Sequence, residues 1–170
     1  MEKINICGFN KNSITDGPGL RFVVFCQGCV HHCEGCHNPQ THEFGTGTDY
    51  TVQEIYDMVK QNPIAKGVTF SGGEPFCQPT GFVALAKLLK AEGYELAAYT
   101  GFTVEEIMAD KNSDRYKLLE LLDILVDGKF ILAQKSFDLK FKGSANQRTL
   151  DVPESIKQDT AVLATSQRWV

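Results

Sequence analysis

The sequence has no long apolar run. None approaches the roughly 20 residues that a helix needs to cross a bilayer, and the opening residues, MEKINICGFNKNS, lack the apolar core of a secretory signal. A cytoplasmic protein that spans no membrane is therefore expected. Strong charge is missing too. The formal balance is −4 over 170 residues, and basic residues are scattered apart from a mild concentration in KFKGSANQR, so nucleic acid is not expected as a partner. Long repeats, low-complexity tracts and linkers are absent as well. A single domain over residues 1–170 with a core of ordinary size follows.

Cysteine is not scarce. Six cysteines without a signal peptide argue against a disulfide framework and for metal or redox chemistry. Cys26, Cys29, Cys33 and Cys36 fall within eleven residues, whereas Cys7 and Cys77 stand alone. The isolated pair read as buried thiols acting as small hydrophobes.

The rest of the chain alternates strand and helix patterns. RFVVFCQG reads as a strand, and TVQEIYDMVKQN as a helix with Thr51 and Glu54 spaced as a capping box. GVTFS is a short strand ending at Gly72–Gly73, and TGFVALAKLLKAEG a helix stopped by Gly93. YELAAYT, a helix opened by Thr103 and Glu106, the helix DRYKLLELL and the strand DILVDG follow, with TAVLAT as a candidate last strand. Such alternation predicts an α/β fold with a parallel sheet and right-handed crossovers. A closed eight-unit barrel needs ~250 residues, so the expectation is an open, partial (β/α) barrel of roughly five or six parallel units. Cys29, Gly72–Gly73–Glu74, Thr100–Gly101 and Asp127–Gly128 all fall at strand ends, the edge where ligands gather in parallel folds.

Closely spaced cysteines on one loop suit zinc or an iron–sulfur cluster. Two points oppose a zinc tetrathiolate over C-x2-C-x3-C-x2-C. Zinc sites usually separate their C-x2-C pairs by a dozen or more residues. Cys26 also alternates with Phe22 and Val24, which directs it into the sheet packing. That leaves Cys29, Cys33 and Cys36, three ligands for a cubane of four irons, with one iron open as a catalytic site requires. His31, His32, His37 and His42 read as non-ligands, His37 being the one best placed to touch a cofactor.

This C-x3-C-x2-C loop resembles the signature of the radical S-adenosylmethionine enzymes, and SGGEP (Ser71 to Pro75) resembles their glycine-rich motif. ITDGPGLRFVVFCQGCVHHCEGCHNPQT resembles the N-terminal segment of the activating enzymes of glycyl-radical proteins. YTGFT (Tyr99 to Thr103) and GSANQR (Gly143 to Arg148) look like the branch that activates anaerobic ribonucleoside-triphosphate reductases. The resemblance covers nearly the whole chain.

It implies one 4Fe–4S cluster per chain on Cys29, Cys33 and Cys36, and S-adenosylmethionine chelating the fourth iron. Gly72 and Gly73 would meet its methionine moiety, with Glu74 helping to fix the ammonium. Gly35 stands where many members carry an aromatic residue, so adenine contacts are expected from Gly35, Cys36 and His37 or from another strand end, and a further cofactor contact from Asn146. Asp16 and Arg21 are expected as catalytic positions where a partner's glycine loop enters. The implied reaction is reductive cleavage to methionine and a 5′-deoxyadenosyl radical, which takes a hydrogen from a glycine Cα. The implied partners are the large subunit of an anaerobic ribonucleoside-triphosphate reductase and a flavodoxin- or ferredoxin-type reductant. Competing readings are an activator of the pyruvate formate-lyase type, a small-molecule enzyme of the deazaguanine synthase type and a non-catalytic iron–sulfur electron carrier.

Overall fold

The structure, a computed structural model, describes residues 2–170. In chain order its elements are β1 (Lys3–Ser13), β2 (Arg21–Cys26), β3 (Thr48–Thr51), α1 (Val52–Lys60), β4 (Gly67–Gly72), α2 (Pro79–Ala91) and β5 (Glu95–Tyr99). There follow α3 (Val104–Met108), α4 (Asp114–Glu120), β6 (Ile124–Asp127), β7 (Arg148–Asp151) and α5 (Val152–Gln158).

All seven strands belong to one sheet in the order β3-β1-β2-β4-β5-β6-β7. β2, β4, β5 and β6 are parallel neighbours. β1 pairs antiparallel with both β2 and β3, and β7 pairs antiparallel with β6. The expected five or six parallel units are therefore corrected to four, flanked by antiparallel strands. Antiparallel neighbours need no crossover helix, which is why short segments such as TDYT and RTLD complete the sheet. TAVLAT is also corrected: it forms no strand, and only Leu163 bridges to Leu150. Cys7, expected to be buried, is exposed on β1.

Local signals explain the helices. Thr51 Oγ1 accepts from Glu54 N at 3.1 Å while the Glu54 carboxylate accepts from Thr51 N at 3.1 Å, closing the capping box of α1. Thr103 caps α3 from one side only, its Oγ1 accepting from Glu106 N. Beyond α2 the chain turns at Gly93, whose φ of +85° suits a residue without Cβ.

Strand alternation sorts side chains between two faces. Phe22, Val24, Cys26, Val68, Phe70, Leu96 and Ala98 pack with α1, α2 and α4 into the main core. Phe70 and Phe82 meet at 4.7 Å, and truncating a core phenylalanine of this kind costs roughly 3–5 kcal/mol. Cys26 is fully buried there, as its alternation predicts, and burial pushes its thiol well up. The opposite face carries Arg21, Thr69, Glu95 and Tyr99, is partly closed by Trp169, and opens into a cavity at the C-terminal ends of the parallel strands.

Candidate active site at the strand ends

The cavity has a volume of about 540 Å³ and is walled by Cys29, Cys33 and Cys36, the Ser71–Glu74 turn, Tyr99–Gly101 and Gly128. All four strand ends marked in the sequence thus reach one space. That volume is within the ordinary range for a cofactor or drug-sized ligand.

Tight backbone packing seats the cysteine loop. Gly73 N donates to Cys26 O and Glu74 N to Gly28 O, each at 2.8 Å. A Cβ on Gly73 would run into the Gly28 carbonyl, and one on Gly72 (φ +93°) would lie 2.6 Å from Cys26 N. These two glycines therefore serve the approach of β4 to the cysteine loop as well as bordering the cavity.

The donor set fits an iron–sulfur cluster. Cys29 Sγ accepts from His31 N and Cys36 Sγ from Asn38 N, each at 3.4 Å, the kind of hydrogen bond that stabilises cluster sulfurs. Burial pushes the Cys29 thiol up, outweighing the His31 and His32 amides that pull it the other way. Among the described residues no three His, Cys, Asp or Glu side chains converge on a single ion. A cubane takes each thiolate on a different iron, so its ligands stand apart around a shared space. Cys77, half-buried nearby, has its thiol pushed up to about 11, by burial first and then by Glu74.

Other expected residues divide. Asp16 lines the cavity, its carboxylate accepting from Ser13 Oγ at 2.5 Å and from Thr15 Oγ1 at 3.4 Å. His37 lines it too, its ring 5.1 Å from that of Phe130. Glu74 borders it, but its buried carboxylate is taken up by donors of the protein itself: Thr100 Oγ1, Gly101 N, Phe76 N and His31 Nε2. The expectation that it is free to hold an ammonium is thereby corrected. Arg21 does not reach the cavity. It opens β2, at the opposite end of the strand from Cys26, and is bonded to Thr69, Val68 O and Glu95. Asn146 lines a separate cavity beside Trp169 and bonds Ser144 and Lys129. Gly35 turns at φ +74° toward Leu132, outside the cavity wall. Arg148 is held by Asp127 and Glu105, which push its guanidinium up. His32 and His42 meet edge-on at 4.7 Å, and burial, then His32, lowers His42.

Among the wall residues that the sequence reading did not single out are Phe130 and Gln147. Phe130 follows the β6 strand end by three residues, so the strand-end rule that marked Asp127–Gly128 also covers it. Gln147 lies in the cavity where Asn146 was expected, and gives Gly143 N an acceptor at 2.8 Å.

Residues 15–150 match the family described as a 4Fe-4S single cluster domain. The chain is 36% identical to the anaerobic ribonucleoside-triphosphate reductase-activating protein of Vibrio cholerae, over 79% of this chain and 89% of that one. Against the Escherichia coli K12 protein of the same name, identity is 34% over 79% and 90%. It is 37% identical to the pyruvate formate-lyase-activating enzyme of Listeria monocytogenes, over 76% of this chain but only 55% of that enzyme. A crystal structure of QueE from Escherichia coli shares the fold at a TM-score of 0.50 and 16% identity, covering 59% of this chain and 53% of the other. With three thiols and the glycine turn on one cavity, the chain belongs to the 4Fe-4S single cluster domain family, among the radical S-adenosylmethionine activating enzymes, whose cofactors are the cluster and S-adenosylmethionine.

Proposed function

We propose that this protein cleaves S-adenosylmethionine reductively in the strand-end cavity and generates a glycyl radical on an anaerobic ribonucleoside-triphosphate reductase. The observation that carries the reading is the meeting of Cys29, Cys33 and Cys36 with the Ser71–Glu74 turn in one cavity while Cys26 is drawn into the core. Losing Cys26 to the core removes the fourth thiolate that an electron carrier would use.

Bound and reduced by a flavodoxin- or ferredoxin-type donor, the cluster supplies one electron for cofactor cleavage and so the radical that takes the glycine hydrogen. Cys29, Cys33 and Cys36 hold the cluster, and the Gly72–Gly73 backbone borders the methionine moiety. The faces of Phe130 and His37 replace the aromatic residue missing at Gly35 as the apolar surface for adenine. Asp16, at the cavity wall with its carboxylate fixed by Ser13, orients the incoming glycine backbone. The sheet ends on β3 and β7, which do not pair. In the proposed assembly the sheet forms a partial barrel whose open side is closed by the partner's surface, which excludes water.

The names of the Vibrio and Escherichia relatives favour the reductase as substrate, and the similarity spans 79% of this chain and 89% and 90% of theirs. The Listeria relative supports a second reading, activation of pyruvate formate-lyase, although this chain spans just over half of it. The deciding experiment mixes the reduced protein and S-adenosylmethionine with each candidate partner under anaerobic conditions and looks for a glycyl-radical EPR doublet. A doublet with the ribonucleotide reductase is expected. One that forms only with pyruvate formate-lyase would overturn the choice of substrate, and no cofactor cleavage at all would overturn the activity.

A further inference from the structure

We propose that His31 is a positioning residue: through Glu74 it fixes the Cys29–Cys36 loop against the turns after β4 and β5, and so sets where the cofactor lies relative to the cluster. The inference rests on the proposed function and concerns the contact between two residues that both border the cavity.

Glu74 is 1% exposed. One carboxylate oxygen accepts from Thr100 Oγ1 at 2.8 Å and Phe76 N at 3.0 Å. The other accepts from Gly101 N at 2.8 Å and lies 2.7 Å from His31 Nε2. A carboxylate offers these donors only lone pairs, so the hydrogen between the two side chains sits on His31. Three of the donors come from the turns after β4 and β5. Only His31 comes from the cysteine loop.

The imidazole is held by shape as well. It lies on Gly101, where a Cβ would overlap the ring. The Phe102 ring meets it edge-on at 4.6 Å, and the Arg115 guanidinium covers Phe102 at 4.4 Å. Arg115 Nε in turn donates to Phe76 O at 2.8 Å, in the same short helical turn (Pro75–Cys77) that Glu74 caps. His31 stands two residues from Cys29 and two from Cys33. Fixing its ring fixes the backbone between the two cysteines. The backbone bonds at Gly28 and Glu74 hold only the start of this loop, and the His31–Glu74 contact carries the tie past the first cysteine. Because both Glu74 oxygens are engaged with the protein, its influence on the cofactor runs through position. Partners of this kind, one step removed from the ligands, typically change affinity or activity by about 10–100-fold when removed.

The test uses the anaerobically reconstituted protein and reads iron and sulfide content, the EPR line shape of the reduced cluster with and without S-adenosylmethionine, and the cofactor's dissociation constant. In His31→Ala, cluster content should stay near wild type, affinity should fall about tenfold, and the cofactor-induced change in line shape should be reduced. His31→Gln, which keeps a donor of similar reach, should recover most of the affinity. His31→Ala combined with Glu74→Ala should be no worse than Glu74→Ala alone, because the shortened side chain has already lost the His31 contact. Wild-type affinity and line shape in His31→Ala would overturn the proposal. So would additive effects in the double variant, or loss of the cluster in both His31 variants. A wild-type cluster that does not respond to S-adenosylmethionine would instead overturn the proposed function, and the brace with it.

Discussion

Arg21 reaches across Gly67, which has no Cβ to obstruct it, and places Nη1 2.7 Å from Glu95 Oε1 at the end of the sheet remote from the cysteines. Trp169 covers the guanidinium at 5.2 Å. The arginine is 1% exposed and gives hydrogen bonds to three residues, so its work is to hold the starts of β2, β4 and β5 together. Arg21→Ala should destabilise the fold by roughly 3 kcal/mol, less than the worst buried-pair cases because Glu95 keeps Arg168. Melting temperature should drop by roughly 6–12 °C, with cofactor affinity per folded molecule unchanged. A variant of unchanged stability that fails in catalysis would return Arg21 to the active site.

The same pair gives the protein an acid limit. Burial alone would raise the Glu95 carboxyl, but Arg21 and Arg168 outweigh it and hold it below its ordinary 4.5. The unfolded chain then binds the proton more readily than the folded one. The ionised pair stabilises the fold above pH 4.5, and that contribution fades as pH falls below 4.5 through the lowered folded value. Urea unfolding at a series of pH values should show Glu95→Gln less stable than wild type near neutrality, with the difference shrinking below pH 4.5. A constant difference across that range would exclude this linkage.

Cysteine substitutions separate ligands from bystanders. Cys29→Ala, Cys33→Ala and Cys36→Ala should each lose the cluster or hold it only partly, and none should cleave S-adenosylmethionine. Cys7→Ala and Cys77→Ala should retain it, Cys7 because it is exposed on β1, far along the chain from the cavity loop. Cys26→Ala should also retain it while melting lower, since a fully buried core side chain is shortened. Iron and sulfide analysis reads the result, and cluster loss in Cys26→Ala alone would replace the three-thiolate site with a four-thiolate one.

Where the sequence is periodic or capped, the fold was legible. β2, β4 and β6 announce themselves through β-branched residues, and Thr51 with Glu54 marks the start of α1. β1 hides because only Ile4, Ile6 and Ser13 of KINICGFNKNS are buried, too few to show alternation. α5 was overlooked although Asp151, Pro153 and Glu154 form a sound helix start, with Asp151 Oδ1 accepting from Glu154 N at 3.0 Å. In the site, cysteine spacing and strand-end glycines located the chemistry. Side-chain direction was not readable: Arg21 lies near Asp16 in sequence yet points to the far end of the sheet, and of the adjacent Asn146 and Gln147 only Gln147 reaches the strand-end cavity.

The segment between β6 and β7 supplies a test of how a protein substrate docks. Phe130, Leu139 and Phe141 turn into the cavity wall, while Ile131, Leu132 and Phe137 are 40%, 45% and 91% exposed. An almost fully exposed phenylalanine beside a cofactor cavity suits an anchor that is covered only when a partner arrives. Lys135 sits 4.9 Å above its ring, keeping the side chain presented rather than folded against the protein. An anchor of this size contributes on the order of 1–2 kcal/mol to binding, so Phe137→Asp should raise the reductase concentration needed for half-maximal glycyl radical by about tenfold. Cluster content, melting temperature and cofactor cleavage by dithionite in the absence of partner should be unaffected, because nothing in the core or the cavity wall rests on this ring. If the concentration dependence stays at the wild-type value, the glycine loop enters from the opposite rim, past Asp16, and the β6–β7 segment serves only to wall the cavity.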